Sequence, residues 1–135
     1  MLTALHINKY INKFLTESQS IKKLVSIDNI RPLTLAPTTF PYISFMRGNI
    51  VSEYSKDGWV EDTTEVTIIC VSDVYSQTID IAAEVRQLLD NRMYRGTEIN
   101  ISQIRLSGAT EDEIEGVFVQ RLTFSVKVSF KESDK

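Results

Sequence analysis

One segment near the C-terminal end constrains the fold more than any other. Residues 117–130, VFVQRLTFSVKVSF, alternate between apolar and polar side chains over most of their length. The apolar positions are Leu122, Phe124, Val126, Val128 and Phe130, and between them lie Arg121, Thr123, Ser125, Lys127 and Ser129. Because successive side chains of a β-strand point to opposite faces, this period of two predicts a strand with one buried face and one face in water.

Two earlier segments predict a long hairpin. Residues 41–54 have an extended pattern in which Gly48 indicates a bulge or a bend. Residues 65–72, EVTIICVS, are apolar at nearly every position, which predicts a central strand covered on both faces. The dipeptide Asp57-Gly58 stands between the two segments and is a turn signal, so we expect the strands to pair.

A second hairpin is predicted toward the end of the sequence. Residues 98–108 predict a strand in which the apolar phase shifts by one position, and this shift indicates a bulge near Ser102-Gln103. Residues 109–116, ATEDEIEG, predict an acidic loop because runs of charge usually face water. The loop leads into the alternating strand, which therefore pairs with the strand before it.

Helical periodicity occurs in two places. Residues 3–16 predict a half-buried helix with an apolar stripe formed by Ala4, Ile7, Ile11, Phe14 and Leu15. Residues 76–93 predict a second helix with Ser76 as its N-cap. Its predicted apolar face consists of Ile79, Ile81, Ala82, Val85, Leu88, Leu89 and Met93. Residues 20–25 predict a shorter helical turn, and residues 28–41, interrupted by prolines, predict an extended connection.

The predicted order is therefore helix, hairpin, helix, hairpin. Hairpins favour antiparallel pairing, and two amphipathic helices are able to cover one face of a small sheet. We predict an α+β fold with an antiparallel β-sheet of about four strands, made from two hairpins, and two main helices packed on one face. The chain of 135 residues fits a single domain over residues 1–130, and residues 131–135 predict a disordered C-terminal tail.

The residue types that carry most enzyme chemistry are scarce. The chain has one cysteine and one histidine, which excludes an intrachain disulfide and leaves too few ligands for a zinc site. Cys70 lies in an apolar run and is interpreted as a buried hydrophobe, and His6 as a surface imidazole. The sequence contains no phosphate-binding glycine motif and no nucleophile elbow. We therefore predict a protein that is not an enzyme, without a cofactor and without a metal.

The charge pattern argues against nucleic acid as a partner, and the lengths of the apolar runs argue against a membrane. The net charge is −3, and the basic excess within residues 1–31 is too dilute for a nucleic-acid footprint. No apolar run approaches the roughly 18 residues of a membrane-spanning helix. Residues 1–14 lack a small-residue cleavage site, so we expect no signal peptide and a soluble cytoplasmic domain.

Several segments together resemble a known family. They are the I-x-P of Ile30–Pro32, the Pro41-Tyr42 that begins a strand, Tyr75 near a strand end, and the A-x-x-V-R-x-x-L of residues 82–89. In these features, and in the closing LTFSVKVSF of residues 122–130, the chain is similar to the small tail-completion proteins, or tail terminators, of tailed bacteriophages and prophages.

The resemblance implies a structural role in virion assembly. Proteins of this family cap the tail tube as a ring, commonly of six copies, and present a docking face to the head connector. For this chain it implies three partners: other copies of itself, the tail tube protein and the head connector or completion protein. It also implies a location in the host cytoplasm during assembly and in the tail of the mature virion.

A candidate interface follows from polar segments that have no core of their own. Trp59, the only tryptophan, stands beside the Asp57-Gly58 turn among charged residues, and it is predicted either to anchor an assembly contact or to fold back over the sheet. The candidate interface residues are Tyr54, Lys56, Asp57, Trp59, Glu111, Asp112, Glu113 and Glu115. The alternative function is a small α+β ligand-binding or regulatory module that uses a cleft between helix and sheet.

Overall fold

Helices and strands alternate along the chain in the predicted order, with short additions. The computed structural model describes residues 2–33 and 39–132. Its helices are α1 (Ile7–Glu17), α2 (Gln19–Lys22) and α3 (Tyr75–Leu89), and short 3-10 helices span Ala4–His6 and Ile27–Asn29. Its strands are β1 (Ile30–Pro32), β2 (Tyr42–Tyr54), β3 (Trp59–Ser72), β4 (Tyr94–Arg95), β5 (Asn100–Ile114) and β6 (Val117–Lys131). Residues 34–38 of the predicted connection and residues 133–135 of the predicted tail lie outside the described ranges.

The sheet has six strands in the order β1-β2-β3-β6-β5-β4. The strand β1 runs parallel to β2, and every other neighbouring pair is antiparallel. The prediction of a four-stranded antiparallel sheet is therefore wrong, although the fold is α+β. Both added strands are edge strands of two or three residues, too short for any periodicity to develop, and β1 lies in the segment predicted as a connection.

Both main helices pack on one face of this sheet, which we call the helix face. The predicted stripe of α1 is buried in the core. From α3, Ile81, Val85 and Leu89 join it, whereas Ile79 and Met93 are exposed. Those two predictions are wrong because α3 ends at Leu89 and buries only one narrow stripe. The predicted N-cap is also wrong: Val74 occupies that position and makes no side-chain cap.

The strand β6 lies in the middle of the sheet and confirms the alternation seen in its sequence. Its apolar set faces the helices, and Phe124 is fully buried. The polar set lies on the opposite face, which we call the open face. The prediction that β3 is covered on both sides is wrong, because Glu65 is exposed on the open face and Thr67 is half-buried there. No described helix covers that face.

Two predicted irregularities are confirmed, and one predicted loop is a strand. The register shifts between Arg47 and Ile50 and again between Ile101 and Gln103. Residues 109–114, predicted as part of an acidic loop, continue β5 and pair one by one with β6. Glu115 and Gly116, at φ of 51° and 81°, form the two-residue turn. Positive φ at both positions is typical of the turn that matches strand twist, so pairing continues up to the tip.

Candidate assembly surfaces

The candidate interface residues lie at opposite ends of the sheet. Trp59 pairs with Lys131 at one end, and Ser72 pairs with Phe118 at the other. At about 3.3 Å per residue these two rows are roughly 43 Å apart. We call residues 53–61 the Trp59 tip and residues 107–118 the acidic arm. Tyr54, Lys56, Asp57 and Trp59 belong to the tip, and Glu111, Asp112, Glu113 and Glu115 belong to the arm.

The Trp59 tip presents aromatic surface on a turn organised by its own polar groups. Trp59 is 42% exposed and Tyr54 is 66% exposed. The Lys131 ammonium lies 5.6 Å from the centroid of the Trp59 ring, a cation–π contact across the strand pair. The Ser55 hydroxyl donates to Asp57 Oδ1 at 2.5 Å and accepts from the Trp59 backbone N–H at 3.1 Å. The bond from Ser55 lowers the pKa of Asp57.

A buried carboxylate ties the base of this tip to the start of the first helical segment. Asp62 is only 5% exposed. Its Oδ1 accepts from the Ser52 hydroxyl at 2.5 Å, and its Oδ2 accepts from the Ala4 backbone N–H at 3.4 Å. Sequence reasoning missed Asp62 because it lies in a polar stretch. The alternation along β3 could have revealed it: the even-numbered residues from Val60 to Cys70 all point to the helix face, and Asp62 is one of them.

The acidic arm is held to the body by an exposed hydrogen-bond group. The Tyr75 hydroxyl donates to Glu111 Oε2 at 2.9 Å, and Gln120 Nε2 donates to the same oxygen at 2.8 Å. The Tyr75 ring packs edge-on against Phe118, with ring centroids 5.4 Å apart. The hydrogen bond to Glu111 raises the pKa of Tyr75. On the open face, Arg121 Nη1 lies 3.7 Å from Asp112 Oδ2.

The other carboxylate contacts of the arm are local. Asp112 Oδ1 accepts from the Glu113 backbone N–H at 2.8 Å, and Glu113 Oε1 accepts from the Gly116 N–H at 2.6 Å. These bonds stabilise the turn. Within residues 2–33 and 39–132, no three His, Cys, Asp or Glu side chains come together in a way that could hold a metal ion.

Two stretches of strand have no hydrogen-bonded neighbour on their outer side within the described chain. On one edge, β1 covers β2 only from Ile43 to Phe45. On the other edge, residues 90–95 cover β5 only as far as Leu106, whose N–H donates to Asp90 Oδ1 at 2.9 Å. The uncovered part of β2 leads to the Trp59 tip and the uncovered part of β5 lies in the acidic arm. Both candidate surfaces therefore include an open strand edge.

The grooves on the surface are shallow and open. The one on the open face, about 460 Å³, is lined by Tyr42, Ile69 and Val119 among others. Ser44 also lines it, and its buried Oγ makes no hydrogen bond within the described chain. The cleft between α3 and the sheet measures about 270 Å³, below the range of roughly 300–1,000 Å³ typical of ligand pockets.

The single cysteine and the single histidine occupy the predicted environments. Cys70 is fully buried, and burial raises the pKa of its thiol to about 12. A thiol so far from ionisation is a poor nucleophile at neutral pH. His6 is exposed, and its Nδ1 accepts from the Thr3 backbone N–H at 3.3 Å. No helix in the described ranges is long and apolar enough to span a membrane.

Comparison with known proteins shows similarity at the level of the fold. No protein-family model matches the chain, and no curated protein matches it. Among solved structures, the chain is similar to one in the virion of a native gene transfer agent particle, with a TM-score of 0.75. The alignment covers 89% of this chain and 92% of that chain at 14% sequence identity. The two proteins therefore share a fold over nearly their whole lengths.

Proposed function

We propose that this chain is a phage-like structural protein of a virion, and more specifically a tail terminator. Six copies would form a ring that caps the tail tube and joins it to the head connector. The observation that carries the proposal is the fold that the chain shares, over 89% of its length, with a chain of a gene transfer agent virion. The sequence resemblance to tail-completion proteins supports the same role independently of that comparison.

The placement of the two candidate surfaces supports a joining role. A protein between two different partners needs two separate contact surfaces, and the Trp59 tip and the acidic arm lie at opposite ends of the sheet. Their chemistry differs, since one end exposes aromatic rings and the other exposes carboxylates. In the proposed ring, one end faces the tail tube protein and the other faces the head connector.

The proposed role needs neither catalysis nor recognition of nucleic acid. We propose that the protein is not an enzyme, that it uses no cofactor, and that its partners are proteins. It would be made in the host cytoplasm and would remain in the tail of the mature particle. The thiol of Cys70 supports this view because its burial and its pKa of about 12 leave it unreactive.

The proposal is tested by assembly with and without the tail tube protein. Purified protein is examined by mass photometry and negative-stain microscopy, and then added to tubes that are growing from purified tail tube protein. We expect rings of six copies, and tubes whose growth stops with a ring at the end. Tubes that grow to the same length with and without the protein contradict the proposed function.

The alternative, a small ligand-binding module, has weaker support. The cleft between α3 and the sheet is small, and the groove beside Ser44 is open to solvent. The two functions are separated by native mass spectrometry of protein purified directly from cells. A monomer that carries a stoichiometric small molecule favours the module, and a ligand-free ring favours the terminator.

A further inference from the structure

We propose that neighbouring copies join edge to edge: the outer edge of β2, residues 50–54, pairs antiparallel with the outer edge of β5, residues 109–113, of the next copy. The proposal rests on the ring proposed above and names the surface that forms it. It commits to a second copy of this chain as the occupant of both open edges.

The backbone groups free on β2 follow from its hairpin. The Ser55 N–H donates to the Trp59 carbonyl at 2.9 Å, so Ser55 bonds inward to β3. Hydrogen-bonding groups of an antiparallel strand alternate between its two neighbours. The residues one, three and five positions before Ser55 form non-hydrogen-bonded pairs with β3, so their N–H and C=O groups point away from β3. They are Ile50, Ser52 and Tyr54.

The same reasoning applies to β5. Ile114 and Val117 flank the two-residue turn and pair with each other, so the groups of Ile114 point toward β6. The alternate residues direct their N–H and C=O groups to the outer edge, and these residues are Ala109, Glu111 and Glu113. Each open edge thus offers three residues at the same spacing of two residues. Ala109 and Glu111 offer both a donor and an acceptor, and Glu113 offers its C=O, because its N–H donates to Asp112 Oδ1.

These two sets match in direction and in spacing. Adjacent strands are antiparallel from β2 through β3 and β6 to β5, so β5 of one copy lies antiparallel to β2 of the next. With Ser52 opposite Glu111, Tyr54 falls opposite Ala109 and Ile50 opposite Glu113. The first two of these pairs each exchange two backbone hydrogen bonds, and in the third the Ile50 N–H donates to the Glu113 carbonyl. This is strand addition to an exposed sheet edge, with another copy as the donor.

The faces of the two sheets also match in this register. Ser52 lies on the helix face, where it bonds to Asp62, and Glu111 lies on the helix face, where it bonds to Tyr75 of α3. Their neighbours Glu53 and Thr110 lie on the open face, in the rows of Glu61 and Arg121. A register shifted by one residue would mix the two faces. The proposed register keeps all helices on one side.

Charge supports the pairing of unlike edges over the pairing of like edges. In the proposed register, Glu111 and Glu113 face Ser52 and Ile50, and Asp112 faces Val51. The acid on β2, Glu53, faces Thr110. Pairing β5 with β5 would place carboxylates opposite carboxylates, which is destabilising. The acidic arm therefore disfavours a symmetric dimer through its own edge and favours a head-to-tail contact.

The open edges lie at opposite ends of the sheet, so neighbouring copies are offset along the strands. In a single copy, Glu111 pairs with Gln120, Gln120 with Cys70, and Cys70 with Ile43, so Glu111 and Ile43 lie in the same row across the sheet. In the contact, it is level with Ser52, which pairs with Asp62, eight rows from Cys70 along β3, so the offset amounts to about 26 Å at 3.3 Å per residue. Repeated offsets close into a ring when the strands tilt, as in a barrel, and otherwise form an open helix.

The decisive experiment is cross-linking. Cysteines at Glu53→Cys and Thr110→Cys would face each other across the contact as a non-hydrogen-bonded pair, with a Cα separation of about 4.5 Å, within the range of a disulfide. The background thiol, Cys70, is buried. Under mild oxidation we expect covalent multimers up to the number of copies in the ring. The matched control, Glu53→Cys with Glu113→Cys, places the second thiol on the other face and should stay uncross-linked.

A second variant tests the hydrogen bonds. Ala109→Pro removes one outward N–H that has no described partner within its own chain, and Ala109→Ser retains it. We expect the proline variant to keep its melting temperature within a few degrees and to need on the order of tenfold more protein to assemble, because outward hydrogen bonds are lost. The serine variant should assemble like the wild type. If the proline variant does not fold, the cross-linking result decides.

Each outcome bears on one proposal or on both. Cross-linked rings support the edge pairing and the ring. A cross-linked open filament upholds the edge pairing and overturns the ring. Rings that form without cross-links, or an Ala109→Pro variant that assembles normally, overturn the edge pairing and leave the ring intact. A disulfide formed by Glu53→Cys alone means that two β2 edges meet, which also overturns this inference.

Discussion

The Trp59 tip and the acidic arm are both hairpin ends of one sheet, yet they are attached to the rest of the chain in different ways. The tip is tied down at its base by Asp62, a buried carboxylate that accepts two hydrogen bonds. The arm is tied down by Tyr75 and Glu111, two exposed side chains. One attachment is shielded from solvent and the other is exposed to it.

Because of this difference, we expect the tip to be rigid and the arm to change conformation more easily. Hydrogen bonds in a buried site cost more to break than those in water, so the tip should keep its orientation in the free monomer. The arm should open locally at low cost, as exposed segments with few apolar contacts do. We infer that the tip is the preformed contact surface of the molecule and that the arm adapts when a neighbour binds.

The largest expected effect on stability comes from a residue in the middle of the sheet, between the two ends. Phe124 is fully buried in the row of Val66 and Leu106. Phe124→Ala should cost about 3–5 kcal/mol of unfolding free energy through lost burial and a cavity. Thr123→Ala removes only one hydroxyl contact with Thr67, at 3.3 Å, and should cost about 1 kcal/mol or less. Urea melts that show equal losses would contradict the assignment of faces in β6.

The next effect compares the apolar groups at the two ends. Trp59→Ala should weaken assembly by about 2 kcal/mol or more, because large aromatic side chains anchor interfaces. Ile114, which is 54% exposed in the arm, should matter less, and Ile114→Ala should cost about 1 kcal/mol or less. The measurement is the protein concentration at half-assembly, from mass photometry or analytical ultracentrifugation.

Fluorescence checks the same residue without mutation. Trp59 is the only tryptophan and is 42% exposed, so acrylamide should quench it in the dilute monomer and quench it less in the assembly. Equal losses for Trp59→Ala and Ile114→Ala, or a monomer whose tryptophan is fully protected from quencher, would remove the distinction between the two ends.

A third effect tests the buried attachment. Asp62→Ala leaves the buried Ala4 N–H without its acceptor and should cost about 1–2 kcal/mol of unfolding free energy. The control is Glu61→Ala, its half-exposed neighbour, whose carboxylate is 3.8 Å from the Lys127 ammonium and which should cost about 0.5 kcal/mol or less. Thermal and urea melts of the pair measure the difference. If both variants lose the same amount, burial is not what holds the tip.

The smallest effect tests the exposed attachment through pH. The bond to Glu111 raises the pKa of Tyr75 above its usual value of about 10. A raised folded-state pKa means that the stabilisation is present below about pH 10 and is lost as pH rises through the folded pKa. Tyr75→Phe should therefore be slightly less stable than the wild type at pH 8, and the difference should shrink at pH 11. A difference that is constant from pH 8 to pH 11 would exclude this role.

The sequence predicts the body of the fold better than its edges and its ends. The alternation in β6 and the stripe of α1 are long enough to identify a strand and a helix. Three residues of β1 carry no such pattern. Residues 109–116 predict a loop because runs of charge usually face water, yet a strand at the edge of a sheet also leaves its side chains in water, and residues 109–114 pair one by one with β6.

The exposure of the candidate interface residues was predictable, but their division into two surfaces was not. Trp59 pairs with Lys131, far away in the sequence, and no local pattern encodes that register. The burial of Asp62 was not predictable for a related reason: it is accompanied by a hydrogen bond from the Ala4 N–H, which a distant part of the chain supplies. Contacts between distant segments therefore define most of the candidate site.

The central position of β6 also affects when the protein becomes competent to assemble. It follows every other described strand in the sequence, yet β3 and β5 both pair with it. A chain emerging from the ribosome, N-terminal end first, cannot join its two halves into one sheet until β6 has been synthesised. Order of translation thus delays the completion of the sheet until β6 has been made, and the edge-to-edge contact proposed above has to wait for it.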